Sequence, residues 1–151
     1  MNAAVGELNE SAIESLLREE SIARIGYVDR RGYPQIVPIT YAYDGAAFLC
    51  YSTDGAKLEA MRQYPQVCVE VDRVDSAADW TSVVAVGRFE ELHGDAALDA
   101  VGRLSERLAS VASAAGLAGA ARLTYVTRLG APGVAYRIKI ARKHGRFARS
   151  E

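Results

Sequence analysis

Histidine and cysteine are scarce, with two of each in 151 residues, and there is a single tryptophan. Cys50 and Cys68 both sit inside apolar runs with no second pair of ligands near them, so neither a zinc site nor a disulfide framework is expected. Two buried, reduced thiols are the expectation. A surplus of either charge is missing too: 18 Lys plus Arg stand against 19 Asp plus Glu, a net charge of −1. That balance removes the electrostatic reason to expect nucleic acid or an anionic membrane as partner. No stretch reaches the ~18 uncharged apolar residues of a membrane span, and Met1 to Glu10 carries acids and no apolar leader core. A soluble, cytoplasmic protein is expected, without a metal, and the length suits one domain over residues 1–151.

What the chain does have is alternation. Ala23, Ile25 and Tyr27 face one way and Arg24 and Gly26 the other; Val67, Val69 and Val71 alternate with Cys68, Glu70 and Asp72; and Val134, Tyr136, Ile138 and Ile140 alternate with Arg137 and Lys139. Gln35 to Tyr43 is apolar on both faces and therefore reads as a strand buried on both. Asp29-Arg30-Arg31-Gly32 and Asp44-Gly45 read as hairpin turns. Trp80 to Leu92 is a long strand with Gly87 as a bulge or bend. Helical periods are fewer. Ser11-Ala12-Ile13-Glu14 has the form of a capping box, giving a helix over 9–19 with Leu8, Ile13, Leu16 and Leu17 buried. Asp54 to Tyr64 is a short helix, closed by Pro65. Leu98, Val101, Leu104, Leu108 and Val111 give an amphipathic helix from about Asp95 to Ala115, in a helical excursion reaching about residue 121. The fold class is mainly β with peripheral helices, an antiparallel barrel rather than a doubly wound sheet. A basic tail, Arg142 to Arg149, ends it.

The junction Tyr51-Ser52-Thr53-Asp54-Gly55-Ala56-Lys57 carries the most chemistry. Two hydroxyls at a strand end, a glycine, a helix N-terminus and a lysine in its first turn make an anion cradle suited to phosphate. The same spacing also suits a plain helix start, capped by Thr53 or Asp54 beside a solvated Lys57. Arg62 adds charge there or is merely exposed. Pro38 has no N–H for a ladder, so it belongs at an edge, in a bulge, or facing something other than a strand. His93 and His144 lie beside elements, with no acid or nucleophile near them in sequence, and read as surface residues.

The order of Ala23-Arg24-Ile25-Gly26-Tyr27-Val28, Gly32-Tyr33-Pro34-Gln35-Ile36-Val37-Pro38-Ile39, the Tyr51–Lys57 junction, Tyr64-Pro65-Gln66-Val67-Cys68-Val69-Glu70-Val71-Asp72 and Ser82-Val83-Val84-Ala85-Val86-Gly87-Arg88 resembles the pyridoxamine 5′-phosphate oxidase-like flavin-binding family. It looks especially similar to the branch that includes the nitroimidazole-resistance proteins. The resemblance implies a six-stranded, Greek-key split β-barrel and a homodimer with two FMN sites at the interface. It implies that Val37, Pro38, Ile39 and Thr40 line the flavin ring and that Tyr51, Ser52, Thr53 and Lys57 hold the phosphate. Ser82, with Trp80 close by, would reach the flavin from the partner subunit, and Arg137 is a further candidate facing flavin or substrate. The activity implied is hydride or electron transfer to an unknown small molecule. The alternatives are a flavin carrier, or a relative that binds deazaflavin or haem. Where that branch commonly has His before the Ser, this chain has Tyr51, and the junction is one residue short. The substrate-phosphate residues of a true pyridoxamine phosphate oxidase are not recognisable. No catalytic residue stands out.

Overall fold

Val67, Val69 and Val71 on one strand, and Val83 and Ala85 on its neighbour, all lie under a tenth exposed on the same concave face of a curled sheet. The computed structural model describes residues 3–116 and 133–151. The stretch 117–132, which the sequence leaves open between helix, loop, lid and dimer contact, lies outside the described residues. The strands are β1 (Ala3–Glu7), β2 (Ile22–Val28), β3 (Pro34–Thr40), β4 (Ala42–Tyr43), β5 (Ala47–Ser52), β6 (Gln66–Ser76), β7 (Asp79–Glu91) and β8 (Val134–Ser150). The helices are α1 (Glu10–Glu19), α2 (Ala56–Gln63) and α3 (Gly94–Ala114). The strands form one sheet in the order β3-β2-β6-β7-β8-β5-β4, with β1 on the far end of β8, and every pairing is antiparallel.

The sheet curls so that β3 and β5, which are not hydrogen-bonded to each other, approach across the open side. This is a split barrel. α1 and α2 fill its interior with Ile13, Leu16, Leu17, Leu58 and Met61, packed on Ile25, Val69, Phe48 and Tyr136. α3 lies on the outside, where Ala100, Leu104 and Leu108 cover Leu49 and Ala42.

Several expectations are corrected. The described residues form eight strands rather than six: β1 is added, and the run 35–43 divides into β3 and β4 at the buried Tyr41, whose hydroxyl donates to the Leu17 carbonyl at 2.8 Å. β1 has no alternation to betray it. The basic segment 142–149 is not a tail but the second half of β8, paired with β7 and β1. α1 begins at an Asn9 cap, whose side chain accepts from Ala12 N–H at 2.8 Å, not at a Ser11 box. In α3 the buried stripe is Ala100, Leu104, Leu108 and Ala112, four residues apart, while Leu98 is 72% exposed. β3 is buried on one face only, with Ile36 74% exposed, and Cys68 is exposed where Cys50 is buried.

The hairpin turns stand, with Gly32 at φ 86° and Gly45 at φ 95°, conformations that favour glycine. So does the irregularity at Gly87. A Cβ there would lie 2.4 Å from the Lys139 carbonyl oxygen, and the pairing slips by one residue opposite it, leaving Ala141 as the extra residue on β8.

Candidate functional site

Pro38 marks the edge of the sheet. At one end of the β2–β3 ladder Tyr41 N–H donates to Ser21 O at 3.0 Å, and at the other Asp29 N–H donates to Tyr33 O at 2.8 Å. Antiparallel pairs alternate between bonded and non-bonded, so Ile39 and Val37 are the bonded partners of Ala23 and Ile25, and Pro38, opposite Arg24, is not. The missing N–H of Pro38 therefore points away from β2, where the ladder needs no donor. Between it and the free side of the barrel, the Thr40 N–H and the Pro38 carbonyl face outward along an unpaired edge. Val37 and Ile39 turn their side chains into the core, so what β3 offers a ligand there is backbone.

At the end of β5, Ser52 and Thr53 lead through Asp54 and Gly55 into α2. No side chain caps that helix: Gly55 holds the cap position, and Ser52 donates its hydroxyl to the Thr53 carbonyl instead. The first turn of a helix leaves N–H groups unpaired, here those of Ala56, Lys57 and Leu58. Lys57 is half-buried, and among the described residues it has no carboxylate within ion-pair distance. Burial lowers its pKa, with only a small opposing pull from Cys50. Cys50 is no counter-ion, because burial pushes its thiol up to about 12 and keeps it neutral. An ammonium drawn out of water without a partner, beside unpaired N–H groups, favours an anion.

The remaining predicted residues lie elsewhere. Ser82 is on the convex face of β7, donating to Glu70 at 3.3 Å. Burial, and then the adjacent Asp72 carboxylate, raise the pKa of Glu70, while Arg24 bonds Asp72 at 3.0 Å. Trp80 is on the same face, lining a hollow of about 310 Å³ with Arg73 and Arg149. From Ser82 to Glu91, where β7 meets α2 through Arg62, is about 30 Å of strand. One chain does not bring Ser82 or Trp80 to the Lys57 cradle. Arg137 pairs with Glu90 at 2.6 Å, and its cross-strand neighbour Leu49 packs under α3. Tyr51 also turns to the α3 side, against Gly133, where a Cβ would come within 2.9 Å of its ring.

Two features escaped the sequence reading. Arg62 bonds Glu91 through two contacts at 2.9 and 3.0 Å and Asp54 at 3.0 Å; only Asp54 and Arg62 are near in sequence. The second is an apolar trough of about 650 Å³ on the convex face, where Ile36, Gly26, Cys68 and Val86 form one cross-strand row ending at Arg142. The glycine was the available signal, since Gly26 adds no side chain to the row and the Cys68 Sγ lies 2.7 Å from where its Cβ would be.

The profile of the pyridoxamine 5′-phosphate oxidase family matches residues 9–146. The chain belongs to that family. Among solved structures, an FAD-binding protein from Mesorhizobium loti is 31% identical, with 99% of this chain and 100% of that one covered at a TM-score of 0.73. An FAD- and haem-binding protein from Mycobacterium smegmatis shares the fold at 19% identity, covering 94% of this chain and 72% of that one, TM-score 0.69. An uncharacterised protein from Rhizobium meliloti is 43% identical over 63 residues, 42% of this chain and 42% of its own length. The split barrel is thus a pyridoxamine 5′-phosphate oxidase-type fold, and its neighbours include flavin and haem binders. Among the described residues no helix is long and apolar enough to cross a membrane, and no group of three or more metal-ligating side chains gathers.

Proposed function

We propose that this member of the pyridoxamine 5′-phosphate oxidase family binds FMN at the β5–α2 junction and the open edge of β3, and acts as a flavin-dependent oxidoreductase. The observation that carries the reading is Lys57, half-buried with no carboxylate partner among the described residues, at the uncapped start of α2. It supports a doubly charged phosphate as the missing partner, with Ser52 and Thr53 as hydroxyl donors. The Thr40 N–H and Pro38 carbonyl suit the edge of a planar heterocycle, which presents both acceptors and donors. A bound flavin would supply hydride or electron chemistry; the protein's residues bind, orient and shield it. Among the described residues no poised acid or base stands out, which suits hydride transfer. The same cradle fits FAD, built on the same riboflavin phosphate, and the Mesorhizobium loti relative favours that variant.

A homodimer belongs to the same proposal. Ser82 and Trp80 serve a flavin only if they reach the cradle of another chain, given the length of β7 between them and α2. The apolar trough on that convex face, with Ile36 exposed on its rim, is the surface a second copy would cover. Cys50 and Cys68 are free thiols, in keeping with the reducing cytoplasm.

Titration of FMN into the purified protein, followed by quenching of flavin fluorescence, tests the binding step; saturation at one FMN per chain is expected. Reduction of the bound flavin by NADPH or NADH, and its reoxidation by a quinone or nitroaromatic compound, then distinguishes an enzyme from a carrier.

A further inference from the structure

A carboxylate beside a phosphate site opposes binding, and this chain places Asp54 two residues before the first residue of α2. Its carboxylate is accounted for elsewhere. Asp54 Oδ1 accepts from Gly55 N–H at 3.0 Å and from Arg62 Nη1 at 3.0 Å. Arg62 is itself fixed, since Nε and Nη2 donate to the two oxygens of Glu91 at 2.9 and 3.0 Å. Three elements meet there: the loop before α2, the last turn of α2, and the end of β7. Arg62 lies five residues after Lys57, about 7–8 Å along the helix axis, so it neutralises Asp54 from behind the cradle.

We propose that Arg62 is a positioning residue for the phosphate site: it holds the Asp54 carboxylate off the start of α2, leaving the Ala56, Lys57 and Leu58 N–H groups and the Lys57 ammonium open to an anion. The inference rests on the flavin-phosphate reading above. Released from Arg62, Asp54 would behave as aspartate does at helix starts, accepting the first-turn N–H groups and drawing Lys57 to itself. The chain would then fill its own phosphate site. Glu91 completes the device by fixing two of the guanidinium nitrogens on the sheet, so that Arg62 meets Asp54 in one orientation.

A double-mutant cycle on FMN affinity, read by flavin fluorescence quenching, tests this. Arg62→Gln is expected to bind FMN at least about ten-fold more weakly, the scale of two unit charges about 10 Å apart at an effective dielectric of about 20. Asp54→Asn alone should stay within about two-fold of wild type, since its carboxylate is already held by Arg62 away from the cradle, and the double variant should return to that range. Arg62→Lys, which keeps the charge but not the fork, should fall between wild type and Arg62→Gln and is the milder variant if the latter unfolds. A merely structural role predicts the opposite for the double variant, which would bind no better than Arg62→Gln. That result, or wild-type affinity in Arg62→Gln, overturns the positioning role alone. A wild type that ignores FMN overturns the flavin reading and this inference together.

Discussion

Lys57 and Glu14 carry the two electrostatic arguments of this fold: burial disfavours the charged form of the first, and partners favour that of the second. Lys57 lacks a carboxylate partner among the described residues, so burial lowers its pKa. Lys57→Ala should weaken FMN binding by about 1.5–3 kcal/mol, the scale of a charge-assisted hydrogen bond, as measured by calorimetric titration. Glu14 is surrounded by partners: Lys143 and the Tyr43 hydroxyl bond its carboxylate, and Arg18 lies beside it. Burial pushes its pKa up, but the bonds and charge of Lys143, Tyr43 and Arg18 outweigh that, and the net shift is downward. A carboxyl held below its unfolded value contributes stability that is present above that value and lost as pH falls through the folded one. Thermal unfolding followed downward from pH 7 should therefore show Glu14→Gln less stable than wild type at neutral pH, with the difference shrinking as acid protonates Glu14. Lys57 was legible in the sequence as a lysine in the first turn of a helix after two hydroxyls. Its lack of a partner was not, because that depends on Asp54 and Glu91 being committed to Arg62, a contact 29 residues apart.

The strands whose faces divide cleanly between core and solvent were legible in the sequence as elements. β2 and β6 alternate apolar and polar residues and fold as that pattern implies. β8 breaks the rule beyond Ile140, because its buried positions there are Gly145 and Ala148, too small to register as a hydrophobic period. Gly145 is small for a reason: a Cβ would come within 2.7 Å of Leu8 and 3.1 Å of Ile13, which cross over it. β3 misled in the other direction. Its outer apolar residues, Ile36 and Pro38, lie on the unpaired edge strand. Gly87 sits where β7 and β8 slip in register, and the Lys139 carbonyl leaves no room for a methyl group. Gly87→Ala should cost about 1–3 kcal/mol in chemical denaturation, the range of overpacking.

The curled sheet leaves one end of the molecule with the proposed phosphate cradle and, on its convex face, an apolar trough at Val86 and Gly87 with Ser82 and Trp80 farther along β7. The proposed dimer, with one site divided between two copies, would account for both halves. Ile36 is 74% exposed on the rim of that trough, so Ile36→Lys should leave the unfolding temperature of the monomer nearly unchanged while shifting sedimentation from dimer to monomer. A dimer that persists in this variant would move the interface elsewhere. The family and the split barrel could be read from motif order, since turns and strand ends fix that order in sequence. The choice between FMN and FAD could not, because the two share the riboflavin phosphate that the proposed cradle would hold. The visible spectrum of the purified protein, before and after mixing with FMN and removing the excess, tests the central claim most directly. Flavin bands that stay with the protein are the expected result; a protein that remains colourless after FMN, or that shows a Soret band instead, would contradict it.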